Sequence, residues 1–242
     1  MDSRDRFTAT VEAYDRYRPD YPDALLDWVV ARASSVVDVG SGTGIFSRQL
    51  ASRGIEVIGV EPNGAMRDAA AARGGGPRYV AGDAEATGLD DAVADWVIGA
   101  QAFHWFDLDR ALPELERVAR RGVLAVWNVR LESGLAAAYD ALLHEVSADF
   151  RAVAKPGPTL EALRARRSGG EELDLPHAQV LDAEGLRGRA WSSSYVVHGV
   201  SDAAAFDRRL GEIFEAYAEE EDGRRVVRLP YRTRGYAWAV GG

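Results

Sequence analysis

Apolar runs of strand length alternate with segments of helical periodicity between residues 36 and 130. The runs SVVDVG, IEVIGVE, PRYVAGDA, ADWVIGAQA and VLAVWNV are rich in valine and isoleucine and predict five strands. The intervening segments IFSRQLASRG, GAMRDAAAARG and LDRALPELERVARRG predict helices. Strands that alternate with helices are typical of an α/β fold with a mostly parallel sheet.

Cap residues predict where these helices begin and end. Gly54 follows the first helix and is typical of the position just past a helical C-terminus. Asn63 and Asp107 are good N-cap residues for the second and third helices. Pro113 interrupts the third helix, so it predicts either a kink or a later start of that helix.

Two helical segments precede this alternating part of the chain. Residues 4–17 carry apolar side chains at helical spacing, and residues 21–33 include Pro22, which suits a first helical turn. Between the two helices, the prolines of RYRPDYP favour an extended backbone.

The pattern is weaker after residue 130. We predict five features there: a helix over 135–150, a loop with a short helix over 151–170, a strand over 190–199, a helix over 201–220 capped by Ser201, and one or two strands over 225–240.

These elements fit one domain that covers residues 1–242. In this interpretation, a small helical cap is made of residues 1–33 and 131–185. The cap covers a core made of residues 34–130 and 186–242. A chain of this length and apolar content can form one large α/β domain.

Composition excludes several classes of chemistry. The formal net charge of −9 disfavours nucleic acid as a partner, because its binders present a basic face. The absence of cysteine excludes disulfides and thiolate sites, and the four dispersed histidines predict no metal site. Lys155 is the only lysine, so Schiff-base chemistry would depend on a loop residue. No apolar run approaches the roughly 20 residues of a membrane span, and the polar N-terminus does not resemble a secretory signal, so we expect a cytoplasmic protein.

A glycine-rich loop follows the first predicted strand. Gly40, Gly42 and Gly44 form G-x-G-x-G, with Ile45 where the dinucleotide-binding fingerprint has its third glycine. A phosphate-binding P-loop is disfavoured, since no Gly-Lys-Ser/Thr follows. The loop predicts a ligand site at the strand ends, and by itself it leaves an NAD-type cofactor possible.

Acidic residues follow the next two strands. Glu61 lies 17 positions after Gly44, where a carboxylate can accept hydrogen bonds from both ribose hydroxyls. Asp83 follows the third strand, where it can accept a hydrogen bond from an adenine amino group. A turn or cap role is the structural alternative for Asp83. The segment AQAFHWF follows the fourth strand, where the reacting end of a ligand is expected.

With these motifs, the sequence resembles the class I S-adenosylmethionine-dependent methyltransferases. The segments VVDVGSGTG, GVEPNGAM, GDAEATGL and ADWVIGAQAFHWF carry the resemblance over residues 36–130. The segments AYDRYRPDYP and FHWF are similar to a bacterial branch of small-molecule methyltransferases that includes trans-aconitate methyltransferase. The resemblance implies a doubly wound, mostly parallel seven-stranded sheet with helices on both faces and a small helical cap, with S-adenosylmethionine as the cofactor.

The resemblance also implies which residues contact the cofactor. The methionine part is expected beside Gly40, Ser41 and Gly42, the ribose at Glu61, the adenine at Pro62, Met66, Asp83 and Ala84, and the reacting end at Ala100 and Gln101. Tyr14 and Arg18 are expected to close over the cofactor, with the arginine on its carboxylate. A surface salt bridge is the alternative role for Arg18.

His104 is the candidate general base, because histidine titrates near neutral pH. Its alternative role is that of a pocket-wall residue that packs or makes one hydrogen bond. Among its aromatic neighbours, we expect Trp105 to line the pocket beside the sulfonium and Phe103 and Phe106 to lie in the core.

Trp127, Arg130 and Tyr195 are, with Trp105, the predicted substrate-binding residues. The expected activity is in-line methyl transfer to a small molecule such as a carboxylate or keto acid, on oxygen, nitrogen or carbon, by a monomer or homodimer. One alternative is a non-catalytic cofactor-binding protein on the same fold. Another is an NAD-dependent oxidoreductase, which Ile45 and the lack of a recognisable Tyr–Lys hydride-transfer pair disfavour.

Overall fold

The computed structural model describes residues 16–146 and 156–241 of the chain. The chain divides into two compact units, which we describe separately. The core unit comprises Asp20–Val129, Lys155–Pro176 and Thr233–Gly242, and the second unit comprises Met1–Pro19, Arg130–Ala154 and His177–Arg232. The single-domain boundaries with a cap remain a prediction.

Eight strands and nine helices form the described part of the chain. The strands are β1 Ser35–Val39, β2 Glu56–Val60, β3 Arg78–Val80, β4 Ala94–Ala100, β5 Ala119–Arg130, β6 Glu171–Leu181, β7 Glu219–Glu221 and β8 Arg224–Ala239. The helices are α1 Asp23–Val30, α2 Ile45–Ser52, α3 Gly64–Arg73, α4 Leu108–Val118, α5 Gly134–Val146, α6 Pro156–Arg166, α7 Ala183–Trp191, α8 Ser194–Gly199 and α9 Ala203–Tyr217. A 3₁₀ turn covers Phe103–Trp105.

The sheet has the strand order β3-β2-β1-β4-β5-β8-β6, and β7 pairs antiparallel with β8. The five strands of the alternating segment pair in parallel, and Val37 lies opposite Ile58 on one side and Val97 on the other. The chain order reverses direction at β1, so the carboxyl ends of β1 and β4 meet at a topological switch point. The predicted doubly wound α/β fold is confirmed.

Neighbouring residues of the central strands point to opposite faces of the sheet, and each face is covered by its own apolar cluster. Val37 belongs to the cluster that includes α4 and α6, whereas Val36 belongs to the cluster that includes α1 and α2. Helices therefore cover both faces, as the continuous apolar strands predict.

The predicted helix starts are close to those observed, but α4 ends at Val118, and residues 119–122, which were predicted to continue it, belong to β5. Gly54 has φ +84° just after α2, and Asn63 accepts the Met66 N–H at 3.1 Å as the N-cap of α3. Asp107 caps α4 and accepts the Asp109 N–H. The helix begins directly after Asp107 and contains Pro113, so the proline does not delay its start.

The second unit has its own apolar cluster, and two predictions that fall on it are wrong. The strand predicted over 190–199 is replaced by the end of α7 and by α8, because Ala190 and Val196 pack into this cluster from helices. Tertiary packing here outweighs the strand preference of the valines. The cap of α9 is Asp202 rather than Ser201, because the Asp202 carboxylate accepts the Ala205 N–H at 3.0 Å.

The late strands include one that the sequence analysis did not predict. β6 lies within the segment 131–185 that was expected to form a cap. Leu173 and Leu175 alternate with polar residues, which is typical of a strand, but Pro176 argued against a strand in the sequence. The one or two strands predicted over 225–240 form one strand, β8, and the short helix expected within 151–170 is α6. The first predicted helix lies outside the described residues, apart from its last two positions. No helix in the described ranges is long and apolar enough to cross a membrane.

Candidate functional site

The glycine loop lies at the carboxyl end of β1 and is tied to β2. Gly40, Gly42 and Gly44 have φ values of +71°, +56° and +81°, a conformation that glycine adopts with little strain. The N–H groups of Gly40 and Ser41 both donate to the carbonyl of Val60, at 2.8 and 3.2 Å. The loop thus turns the chain sharply from β1 into α2.

The absence of a side chain at Gly40 brings this loop against the turn after β4. A Cβ placed on Gly40 would lie 2.8 Å from Cβ of Ala102 and 3.7 Å from the Phe106 ring. Both contacts belong to the AQAFHWF segment. The sequence-predicted cofactor loop and the sequence-predicted transfer end are therefore immediate neighbours in the core unit.

Glu61 connects the glycine loop to the end of β2. Its side chain is nearly buried, with 6% of its surface exposed. One carboxylate oxygen accepts the Gly42 N–H at 2.8 Å, and the other accepts the Asn63 N–H at 2.8 Å. Each carboxylate oxygen has two acceptor sites, so a carboxylate can accept more than one hydrogen bond on each oxygen. Met66 is buried next to this loop, with its sulfur 4.0 Å from where a Gly42 Cβ would lie, whereas Pro62 is exposed.

Asp83 forms a turn through its backbone and leaves its side chain available. The Asp83 N–H donates to the Ala86 carbonyl, and the Ala86 N–H donates to the Asp83 carbonyl, at 3.2 and 3.3 Å. The carboxylate oxygen Oδ1 is buried and accepts no hydrogen bond from the described residues. The turn role proposed as an alternative is thus real, but it does not occupy the carboxylate. The adjacent Ala84 is buried.

Asp38 was not predicted as a site residue, although it belongs to the motif VVDVGSGTG. It is fully buried near the carboxyl end of β1, and its carboxylate accepts a hydrogen bond from the Ser47 hydroxyl at 2.5 Å. Burial raises the pKa of Asp38 to about 7. The signal that could have identified it is an ionisable residue inside an otherwise apolar strand.

Tyr79 reaches across β2 towards the same place. In the sheet register Gly59 lies between Asp38 on β1 and Tyr79 on β3. A Cβ on Gly59 would come within 2.4 Å of the Tyr79 ring, and a Cβ on Gly44 would come within 2.1 Å of its hydroxyl oxygen. Burial raises the pKa of Tyr79. Two glycines therefore give this tyrosine the room to lie under the loop.

Ala100 and Gln101 end β4 in an unusual conformation. Gln101 has φ +57°, which is rare for a residue with a side chain and is typical of functional sites. Its N–H donates to the Val126 carbonyl at 2.8 Å, and its side-chain amide donates to the Asn128 carbonyl at 3.2 Å. These two bonds to β5 hold the strained residue in place.

His104 lies in the 3₁₀ turn that follows and pairs with Trp127. The indole N–H of Trp127 donates to Nδ1 of His104 at 3.3 Å. Burial lowers the pKa of His104 to about 4. Trp127 itself is 1% exposed, so it borders this site from within the apolar core.

The other aromatic residues of the turn differ in burial, and the pocket role expected for Trp105 remains a prediction. Phe103 is buried and packs within 5.0 Å of Phe106 and 6.2 Å of Trp127, measured between ring centroids. Trp105 is 59% exposed and lies 4.9 Å from the His104 ring. An exposed indole beside a partly buried histidine is available to a ligand.

The remaining predicted site residues belong to the second unit or lie outside the described residues. Tyr14 and the side chain of Tyr195 are outside the described part. Arg18 and Arg130 belong to the second unit. Arg130 makes an ion pair with Asp140 and lines a surface cavity of about 590 Å³ at the start of α5. Their roles in binding remain predictions.

Within residues 16–146 and 156–241, no three histidine, aspartate or glutamate side chains come together in a way that could hold a metal ion.

Comparisons with known proteins show what the central part of the chain resembles. Residues 37–126 match the family model described as a methyltransferase domain. An uncharacterized methyltransferase of Mycobacterium tuberculosis is 44% identical over 131 residues, which cover 52% of this chain and 53% of that protein. A malonyl-[acyl-carrier protein] O-methyltransferase of Serratia marcescens is 36% identical over 94 residues, which cover 38% of this chain and 37% of that protein. The chain therefore spans about half the length, or less, of these curated relatives.

A solved structure extends the likeness to the fold as a whole. It is a chain from Anaeromyxobacter dehalogenans with a provisional assignment as a type II methyltransferase. The match covers 92% of this chain and 98% of that one, with a TM-score of 0.68 and 27% identity. Residues 37–126 therefore match a methyltransferase domain in sequence, and the strand order and the likeness to this solved structure extend the similarity to the fold.

Proposed function

We propose that the chain is an S-adenosylmethionine-dependent methyltransferase that acts on a small-molecule acceptor. One observation carries the proposal: the glycine loop is hydrogen-bonded to Glu61, while the neighbouring Asp83 keeps a buried acceptor oxygen without a partner. A buried, unpartnered carboxylate oxygen is costly, and a ligand amino group would satisfy it.

The residues around the loop suit the parts of the cofactor. The backbone from Gly40 to Gly42 would run beside the methionine moiety, and Glu61 would accept from the ribose hydroxyls. The adenine would pack against an apolar wall made of Pro62, Met66 and Ala84, and its amino group would donate a hydrogen bond to Asp83. Ala100 and Gln101 would border the reacting end, and Tyr14 and Arg18 would close over the cofactor.

S-adenosylmethionine supplies a methyl group on a positively charged sulfur, which is a good leaving group. The contribution of this chain is then to align the acceptor and to exclude water. Phe103 and Trp127 make the β4 end of the site apolar, and Trp105 offers an exposed indole face that can attract a cation.

A small acceptor fits the chain better than a nucleic acid, because the net charge is −9. A carboxylate or keto acid is the acceptor class that we propose, following the similarity of AYDRYRPDYP and FHWF to the trans-aconitate methyltransferase branch. Arg130 would contribute to substrate binding together with Trp105, Trp127 and Tyr195.

Isothermal titration calorimetry tests the cofactor assignment directly. S-adenosylmethionine and S-adenosylhomocysteine should bind with micromolar dissociation constants, whereas NADH should not bind. Absence of binding by both adenosyl compounds at millimolar concentration would reject the proposal, and tight NADH binding would favour an oxidoreductase.

Substitution of Asp83 tests the adenine contact. Asp83→Ala should weaken S-adenosylhomocysteine binding by about tenfold, the value of one hydrogen bond to a charged group. Asp83→Asn keeps an acceptor oxygen and should weaken binding less. Asp90→Ala removes the same charge from an exposed position of the same connection and should bind like the wild type. Equal losses in Asp83→Ala and Asp90→Ala would show that only net charge matters.

A further inference from the structure

The pairing of His104 and Trp127 determines which nitrogen of the histidine carries a proton. An indole N–H is a donor and has no acceptor lone pair. Trp127 is buried, and Nδ1 of His104 is the one acceptor within hydrogen-bond distance among the described residues. Nδ1 must therefore present its lone pair to the indole, which leaves the imidazole proton on Nε2.

The same pairing opposes protonation of His104. An imidazolium would direct an N–H from Nδ1 at the indole N–H, so two donors would face each other. Burial of the ring disfavours the charged form further and lowers the pKa of His104 to about 4. Near pH 7 the side chain is consequently neutral.

This arrangement is the reverse of the one that a histidine base requires. A histidine that takes up a proton during catalysis usually donates its second N–H to a carboxylate, which stabilises the imidazolium. Here the second nitrogen accepts from a neutral donor, and no charged group among the described residues shifts the pKa of His104. The general-base role expected from the sequence thus lacks its usual support.

Nε2 of His104 is the group left for a ligand. It has no hydrogen-bond partner in the described part of the chain. The 3₁₀ turn that carries His104 follows Ala102, whose Cβ lies against Gly40 of the glycine loop. The Nε2–H donor accordingly belongs to the β4 end of the site, where the acceptor is expected.

We propose that Trp127 is a positioning residue that fixes His104 as an Nε2–H donor, and that His104 orients an acceptor whose reacting oxygen is already ionised, as in a carboxylate. A carboxylate has no proton to lose before methylation and can accept a hydrogen bond from Nε2–H. An alcohol or an amine would need a base that this histidine does not provide. The acceptor class rests on the proposed function, whereas the tautomer of His104 depends only on the geometry of the pair.

Nitrogen-15 NMR of histidine-labelled protein tests the tautomer without substrate or cofactor. The chain has four histidines, so His104→Gln assigns the resonance by its disappearance. The wild type should show a protonated Nε2 and a bare Nδ1, and His104 should remain neutral down to about pH 5. A protonated Nδ1, or titration near the ordinary value of 6.5, would overturn the proposal.

Trp127→Phe tests the positioning role, and Trp238→Phe is its matched control. Both tryptophans are buried and pack 6.2 Å from Phe103, but the indole N–H of Trp238 donates to Glu116 at 2.8 Å. Trp127→Phe should raise the pKa of His104 and allow an Nδ1–H form. Trp238→Phe should leave both unchanged. Equal shifts in the two variants would mean that loss of packing, and not the hydrogen bond, controls His104. If Trp127→Phe does not fold, the wild-type spectrum still decides the tautomer.

The acceptor class is tested on the same resonance. With S-adenosylhomocysteine present, succinate and glutarate should shift the Nε2 signal of His104, and the matched diols should not. A shift caused by the diols alone, or no shift by any probe at about 10 mM, would reject the carboxylate assignment. Failure of S-adenosylhomocysteine to bind would instead reject the proposed function and leave the tautomer result intact.

Discussion

Two buried aspartates lie at opposite ends of the parallel strands, Asp95 at the amino edge of the sheet and Asp38 at the carboxyl edge. They differ in the hydrogen bonds and charges that surround their carboxylates. Asp95, at the amino edge, accepts hydrogen bonds from the N–H and hydroxyl of Ser34, both at 2.9 Å, and lies 3.6 Å from Arg120 and Arg121. Asp38, at the carboxyl edge, accepts a hydrogen bond from the Ser47 hydroxyl, and the charge that acts on it is the negative charge of Glu61. The amino edge has its charge compensated, and the carboxyl edge does not.

The contrast extends beyond these two residues. In the described part of the core unit, the buried side-chain oxygens without a hydrogen-bond partner all belong to the glycine loop and the strands around it. They are carried by Asp38, Ser41, Thr43 and Asp83. Native proteins leave few such groups, and those that remain call for an explanation. An edge that is only structural satisfies its polar groups, whereas an edge that binds a ligand keeps some of them available.

Among the variants at the carboxyl edge, Gly40→Ala should have the largest effect on stability and on cofactor binding. The new methyl group would lie 2.8 Å from Cβ of Ala102, and the φ of +71° is unfavourable for alanine. We expect a loss of about 2–5 kcal/mol in the free energy of unfolding, measured by urea titration, with loss of S-adenosylhomocysteine binding.

Gly54→Ala provides the control for backbone strain. Gly54 also has a positive φ, +84°, but no atom lies within 4 Å of the position of the added methyl group. It should lose only about 1–2 kcal/mol, the cost of the left-handed backbone conformation, and bind the cofactor normally. Equal losses in the two variants would show that the contact with Ala102 is unimportant.

The two aspartates should respond to pH in opposite directions. Burial raises the pKa of Asp38 from 3.8 to about 7, so the unfolded chain releases this proton first as the pH rises. Asp38 therefore lowers the free energy of unfolding progressively between about pH 4 and pH 7. We expect this decrease to amount to about 2–4 kcal/mol between pH 4 and pH 8 in the wild type. Asp38→Asn should remove it, because the amide does not titrate.

Asp95→Asn should show the reverse dependence. The backbone N–H of Ser34 lowers the pKa of Asp95, so its carboxylate stabilises the fold above the ordinary value of 3.8, and this stability is lost as the pH falls further. The variant should be less stable than the wild type at pH 8, and the difference should shrink below pH 4. Parallel pH profiles for the two variants, in urea titrations, would contradict the contrast between the edges.

Replacement of Glu61 should affect ligand binding more than the fold. Glu61→Gln exchanges an acceptor oxygen for an amino group that faces the N–H of Gly42 or Asn63. We expect affinity for S-adenosylhomocysteine to fall by about 10- to 100-fold in calorimetry. Glu56→Gln makes the same exchange at the exposed start of β2 and should have no effect. Wild-type affinity in Glu61→Gln would reject the ribose assignment.

Trp105→Ala should have the smallest effect on stability. The side chain is 59% exposed, so its removal should change the free energy of unfolding by less than about 0.5 kcal/mol. If Trp105 contacts the acceptor, the same variant should raise KM while its thermal midpoint stays constant. Phe103→Ala, in the buried part of the same turn, should instead cost about 3–5 kcal/mol. A marked loss of stability in Trp105→Ala would show that this indole is structural.

Most of the parallel half of the fold was predictable, because it follows from local chemistry. Valine-rich strands and the caps Asn63 and Asp107 act over a few residues, and the structure confirms them. The helices around Ala190 and Val196 were not predictable in the same way, since residues distant in the chain complete their apolar cluster. Pro176 concealed β6 for a different reason, because proline is rare within strands and suggests a break.

The sequence by itself determined the carboxyl edge of the sheet as the site. A glycine loop after one strand and carboxylates after the next two must meet there in any parallel sheet with this chain order. Only the tertiary structure decided the chemical state of the residues at that edge. The burial of Asp38, the bare oxygen of Asp83 and the indole N–H that Trp127 directs at His104 all depend on neighbours from other strands. A pKa or a tautomer is set by the partners and the solvent around a group, and sequence spacing does not reveal them.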